Sequence, residues 1–164
     1  NVVRGTTNGI GGVTWYQMYE GEKEYKNSTE NAILKNSATT SSMIWGSQWD
    51  QIMIWMKEVK NKAKSSYYVI NSLTMGNYGT SDDEDESTAE PAATGNSENY
   101  KVKNVFDLAG NVRDWTLEAK NTNSRVDVGG TTFDNTHTNT SAGHRGGNIP
   151  LGSYPNNGSR STLY

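Results

Sequence analysis

The last 44 residues of this chain, 121–164, contain no Lys, Glu, Gln, Met or Trp, although the first 120 hold 33 such residues. At the earlier rate about 12 would fall in the tail, so the two parts of the chain have different building material. Residues 1–75 carry all five Met and four of the five Trp, and the large apolar side chains of a core must come mostly from there. The tail is dominated by Gly, Asn, Ser and Thr. It can contribute short strands and loops, but few bulky anchors.

A length of 164 residues sets one domain, 1–164, as the expectation and leaves room for a sizeable core. With 32% hydrophobic residues and no long apolar run, the chain offers no membrane span. A net charge of −3 argues against a nucleic-acid partner held by phosphate neutralisation. The absence of Cys removes disulfides, thiolate nucleophiles and thiolate metal sites together. Two histidines, His137 and His144, cannot by themselves supply a three-ligand metal centre of the usual kind. No catalytic residue and no cofactor is expected.

Periodicity places the clearest helix over about Ser47–Lys62. Ser47 and Asp50 are read as its capping pair, and Trp49, Ile52, Met53 and Met56 recur at helical spacing. Trp45, Trp49 and Trp55 read as core beside this helix rather than as an aromatic platform. A second helix starts near Thr14 with Gln17 as the partner of a capping box. Tyr67–Ile70 has strand composition, and short strands are expected at 112–117, 125–129 and 159–164. Residues 76–99, with the acidic run Asp82–Glu86, read as a solvated loop; the run lacks the alternating acid and Gly spacing of a calcium loop. Two early helices and late strands give an α+β class with much irregular loop.

A disordered low-complexity tail would be rich in Gly, Ser, Asn and Thr, yet it would also welcome Lys, Glu and Gln. This one keeps strand-like pieces at Arg125–Val128 and Ser161–Tyr164. The five missing residue types are those that codons ending in a pyrimidine cannot encode. Copying asparagine codons with errors at adenine would vary the first two bases, leave the third, and never produce those five. Phe133, His137, Ile149, Leu151 and Tyr154, scattered among small polar residues, are what that process would leave.

The segment Asn104-Val-Phe-Asp-Leu-Ala-Gly-Asn-Val-Arg-Asp-Trp-Thr116 resembles the N-x-[YF]-D-[ML]-x-G-N-V-W-E-W-T signature of the formylglycine-generating-enzyme family, also called sulfatase-modifying-factor-like. Arg125–Gly130 is similar to the family's R-V-x-R-G-G, Gly158-Ser-Arg160 to its closing G-F-R, and Met43–Asp50, loosely, to its P-x-E-A-E-W-E segment. The resemblance implies a C-type lectin-like fold with two helices and short antiparallel strands. Arg113, Asp114, Val128 and Ser159 depart from the pattern. Catalytic members hold copper with a cysteine pair, and a related iron-dependent branch needs a histidine set; this chain has neither.

One non-catalytic branch fits both the motif and the tail: the variable proteins of diversity-generating retroelements, whose C-terminal region is mutated at adenines. The resemblance implies recognition of a protein or glycan ligand at a phage tail or a bacterial surface. The setting would then be extracellular, on a virion or cell, with any leader or anchor lying outside this chain. A ligand surface tolerates substitutions that a core would not. The expected binding residues are Asp127, Thr131, Phe133, Asp134, Thr136, His137, Thr138, Asn139, His144, Asn148, Leu151, Ser153 and Tyr154, with Phe133 and Tyr154 as aromatic anchors. Arg125, Arg145 and Arg160 read as scaffold. Gly110 and Asn111 read as a turn needing positive φ. For Asn111 and Asp114 the resemblance adds calcium ligation as an alternative to turn hydrogen bonding, and the residues leave both open. A non-diversified lectin-like or structural module, and an oxidase with altered chemistry, are the competing classes.

Overall fold

The computed structural model describes residues 11–27, 38–58, 92–130 and 141–164. Thr14 caps the first helix, α1 (Trp15–Glu24): its hydroxyl accepts from the Gln17 N–H while the Gln17 side chain takes the Thr14 N–H, the reciprocal box read from the sequence. A 3-10 turn, Tyr25–Asn27, leads out of it. Strand β1 (Ser41–Met43) precedes helix α2 (Gly46–Glu58). A tight hairpin, β2 (Lys101–Val102) with β3 (Val105–Phe106), leads into β4 (Arg113–Asn121) and β5 (Ser124–Val128), and β6 (Asn157–Ser159) and β7 (Ser161–Leu163) close the fold.

Antiparallel pairing joins β1 to β7, β2 to β3 and β4 to β5, but β4 and β6 run parallel. The central sheet therefore has the order β5-β4-β6. The single strand expected at 159–164 is two, because Arg160 marks a switch from the central sheet to β1. The class is mixed α+β, with two α-helices and several short strands among the described residues.

Side chains alternate across β4, and each face of the central sheet meets a different helix. One face presents Thr116, Val126 and Val128 toward α2, whose Trp49, Met53 and Met56 pack with Leu108 and Ala142. The other presents Trp115 and Leu117 toward α1, where Trp15, Met43, Met18 and Tyr19 complete a second cluster. Gly110 and Asn111 take φ of 76° and 63°, as the turn demands.

Two expectations about α2 are corrected. Its N-terminus is satisfied by Gln48, whose side chain accepts the Trp45 N–H, while Asp50 instead meets Arg145. Of the three tryptophans expected in the core only Trp49 is buried; Trp45 and Trp55 are 49% and 45% exposed. Trp49, Met53 and Met56 fill one stripe of the helix, and Trp55 falls off it. The Lys103 ammonium sits 4.2 Å from the Trp55 ring centre. The expected strand 67–70 lies outside the described residues, as does 76–91 of the acidic loop. Residues 92–99 of that loop are tied in: Gly95 N–H donates to Asp107 Oδ2, and the Asn111 side chain holds Ala92.

Candidate functional site

The tail wraps the far edge of β5 before returning as β6. Backbone bridges join Val128 to Arg145 and Arg125 to Asn148, so residues 145–148 run beside β5 like a fourth strand. Three arginines fix this frame. The Arg145 guanidinium reaches Glu118 on β4 and Asp50 on α2, and also donates to the Gly46 carbonyl. Arg160 pairs with the buried Asp114 and donates to the carbonyls of Phe106 and Asp107. Arg125 lies over the Trp15 ring. Arg145 and Arg160 act as scaffold through their donors, as expected, whereas Arg125 contributes through an aromatic face.

From Asn148 the chain makes a short loop. Gly152 N–H bonds to the Ile149 carbonyl and Pro150 is buried, its carbonyl accepting the Trp15 N–H at the start of α1. Ser153 Oγ donates to the Gly12 carbonyl, and Gly12 N–H donates back to Tyr154 O. Stitched at both ends, the loop leaves Leu151 75% exposed and Ile149 59% exposed. Tyr16, beside Trp15, is exposed as well.

The expected binding residues separate on this frame. Leu151 and Ser153 are on the surface and His144 is half-buried. Asp127 is not on the surface: it is 0% exposed, and the expectation of a ligand-facing side chain there is corrected. Both faces of β5 are covered, so Val126, Asp127 and Val128 are all buried, and strand alternation alone could not show it. Asn148 is turned inward, donating to Asp127 Oδ2 at 2.7 Å. Tyr154 is half-buried with its ring 6.0 Å from that of Trp115, which makes it a packing residue before it is an anchor. Thr131, Phe133, Asp134, Thr136, His137, Thr138 and Asn139 lie outside the described residues. Ile149 and Tyr16 are exposed apolar residues that the sequence reading did not select.

Asn111 and Asp114 are engaged separately. The Asn111 amide accepts from and donates to the Ala92 backbone, at 2.8 and 3.1 Å. Asp114 Oδ2 accepts from Arg160 Nε at 2.6 Å, and burial pushes its carboxyl pKa up more strongly than Arg160 pulls it down. No group of three or more acidic, His or Cys side chains among the described residues is placed to hold a metal ion. Nor is any described helix long and apolar enough to cross a membrane.

No family model and no curated protein matches the chain. Solved structures do. It is similar to Treponema denticola variable protein 1, with a TM-score of 0.60 and 13% identity over 94% of this chain and 70% of that one. It is also similar to CarF, with a TM-score of 0.56 and 12% identity over 94% of this chain and 66% of the other. At these identities the likeness is one of fold.

Proposed function

We propose that this chain is a non-catalytic ligand-binding domain with a C-type-lectin-like fold, of the kind that diversity-generating retroelements mutate. The observation that carries the reading is a coincidence of two independent facts. The fold is shared with a variable protein, and the tail lacks the five residue types that pyrimidine-ended codons cannot reach. Binding is equilibrium recognition with no bond chemistry: a rigid frame presents exposed side chains, Leu151, Ser153 and Ile149 among them. The ligand is a protein or a glycan, met outside the cell at a virion or bacterial surface, without membrane insertion and without nucleic acid. This reading invokes no calcium; the Asn111 amide serves Ala92 and the Asp114 carboxylate serves Arg160.

The discriminating experiment is at the level of DNA. The region beside the gene should hold a near-repeat of the 121–164 coding stretch, differing from it only where the repeat has adenine, and a reverse transcriptase gene nearby. Differences at other bases, or no repeat at all, would assign the chain to the plain lectin-like or structural class instead.

A further inference from the structure

The face of the central sheet that meets α1 carries a polar nest beside its aromatic cluster. Asp127 on β5 stands opposite Trp115 on β4, and Asn157 on β6 stands opposite Arg113, so all four lie on one face. Asp127 and Asn157 are both fully buried. Asp127 Oδ2 accepts from Asn148 Nδ2 at 2.7 Å and from Asn157 Nδ2 at 3.5 Å. Its other oxygen, Oδ1, is buried with no hydrogen-bond partner, and so is Asn157 Oδ1. Gly146 closes over the carboxyl so tightly that a Cβ there would stand 2.1 Å from Oδ1.

An ionised carboxylate and an amide oxygen are both acceptors only, and two unmatched buried acceptors are costly. The contact between Asn157 Nδ2 and Asp127 Oδ2 already joins one atom of each group; the two unmatched atoms are the remaining one of each. A single hydrogen between them would satisfy both. We infer that Asp127 is held as a neutral carboxylic acid whose Oδ1–H donates to Asn157 Oδ1, closing a buried acid–amide ring that clamps β5 to β6 and, through Asn148, to the exposed loop.

The surrounding charges bear on this unequally. Arg113 on β4 and His144 from the 141–148 segment favour the ionised form, as do the two amide donors. Burial opposes them and is the larger effect, so the carboxyl pKa is raised. From β6 the neighbours are Asn157 and Ser159, both uncharged; Glu22 of α1 is taken up by the hydroxyls of Ser159 and Ser161. Asp114 faces the opposite side of the sheet.

The clamp makes stability depend on pH in a defined sense. In the unfolded chain Asp127 ionises at the usual carboxylate pH, whereas in the fold it keeps its proton. Its contribution is full below the unfolded value and falls as pH rises, about tenfold in the unfolding equilibrium per pH unit, until the folded pKa is passed. Asp127→Asn keeps the ring, because an amide NH₂ at the Oδ1 position donates to Asn157 in place of the acid.

Denaturant melts of the protein and of Asp127→Asn at a series of pH values from 5 to 9 test this. The variant should fold, and its stability relative to the parent should climb by up to tenfold per pH unit. A difference that stays flat, with the variant the weaker at every pH, would overturn the inference, for it would mean an ionised Asp127 held by Arg113 or by water. Should the variant not fold, the carboxyl carbon-13 shift of Asp127 in the unaltered protein decides: the protonated position at neutral pH supports the ring, and the ionised position refutes it. Neither readout involves a ligand, so the outcome is independent of the binding role.

Discussion

The two faces of the β5-β4-β6 sheet are filled differently. Toward α2 the interior is aliphatic and aromatic, with Trp49, Met53, Met56 and Leu108 against Val126, Val128 and Ala142, and its charges are met by Arg145 and Arg160. Toward α1 an aromatic cluster around Trp15 and Trp115 shares its face with Asp127, Asn148 and Asn157. Among the described residues every buried Trp, Met and Leu comes from the first 120 positions, while the tail adds Val and Ala on one side and amides and a carboxyl on the other. A segment denied Met, Trp, Lys, Glu and Gln can still complete a core, provided it fills gaps rather than founding it.

That division of material is open to test on each face. Trp115 is fully buried on the α1 side, and Trp115→Ala should cost about 3–5 kcal/mol by thermal or urea denaturation, as deleting a core aromatic does. A loss under about 1 kcal/mol would show that the α1 cluster is not a founding part of the core. On the α2 side the sharper probe is Arg160, whose removal strands the buried Asp114 carboxyl and two carbonyls. Breaking a buried pair costs about 3–5 kcal/mol. Arg160 keeps 28% of its side chain exposed, so Arg160→Ala belongs near the low end, about 3 kcal/mol. It should appear as a lower urea midpoint with an unchanged slope. A changed slope would mean that the β6–β7 switch had come apart instead.

Local signals were legible where one short-range rule acts alone. The Thr14–Gln17 box starts α1 as read, and Gly110 and Asn111 take the positive φ their residue types allow. Arg145 and Arg160 were legible as scaffold because a guanidinium with five donors suits an irregular backbone rich in carbonyls, but the packing of Arg125 over Trp15 was not. What the sequence hid depends on long-range placement. The parallel pairing of β4 with β6 brings Arg113 beside Asn157, far along the chain and beyond β5, which no local pattern encodes. Asp127 looked like surface because a lone acid between two valines usually is; the edge segment 145–148 and Gly146 bury it instead. Trp45 and Trp55 looked like core because large apolar residues usually are, and only the rotation of α2 against the sheet decides otherwise.

The smallest expected effect on stability falls on the loop that both faces support. Leu151 touches little: it is 75% exposed on a loop held by Asn148, Pro150 and Ser153. Leu151→Ala should therefore change stability by no more than about 0.5 kcal/mol. The same change should weaken capture by cells or virions that the unaltered protein binds, since truncating an exposed apolar anchor removes contact area without disturbing the frame. Tyr154→Ala, by contrast, opens the packing against Trp115 and should lower stability and binding together. The contrast within one loop is what a fixed frame with a replaceable surface requires. If Leu151→Ala instead unfolds the loop, the loop is structure rather than display, and if it leaves capture untouched, the ligand is read elsewhere on the molecule.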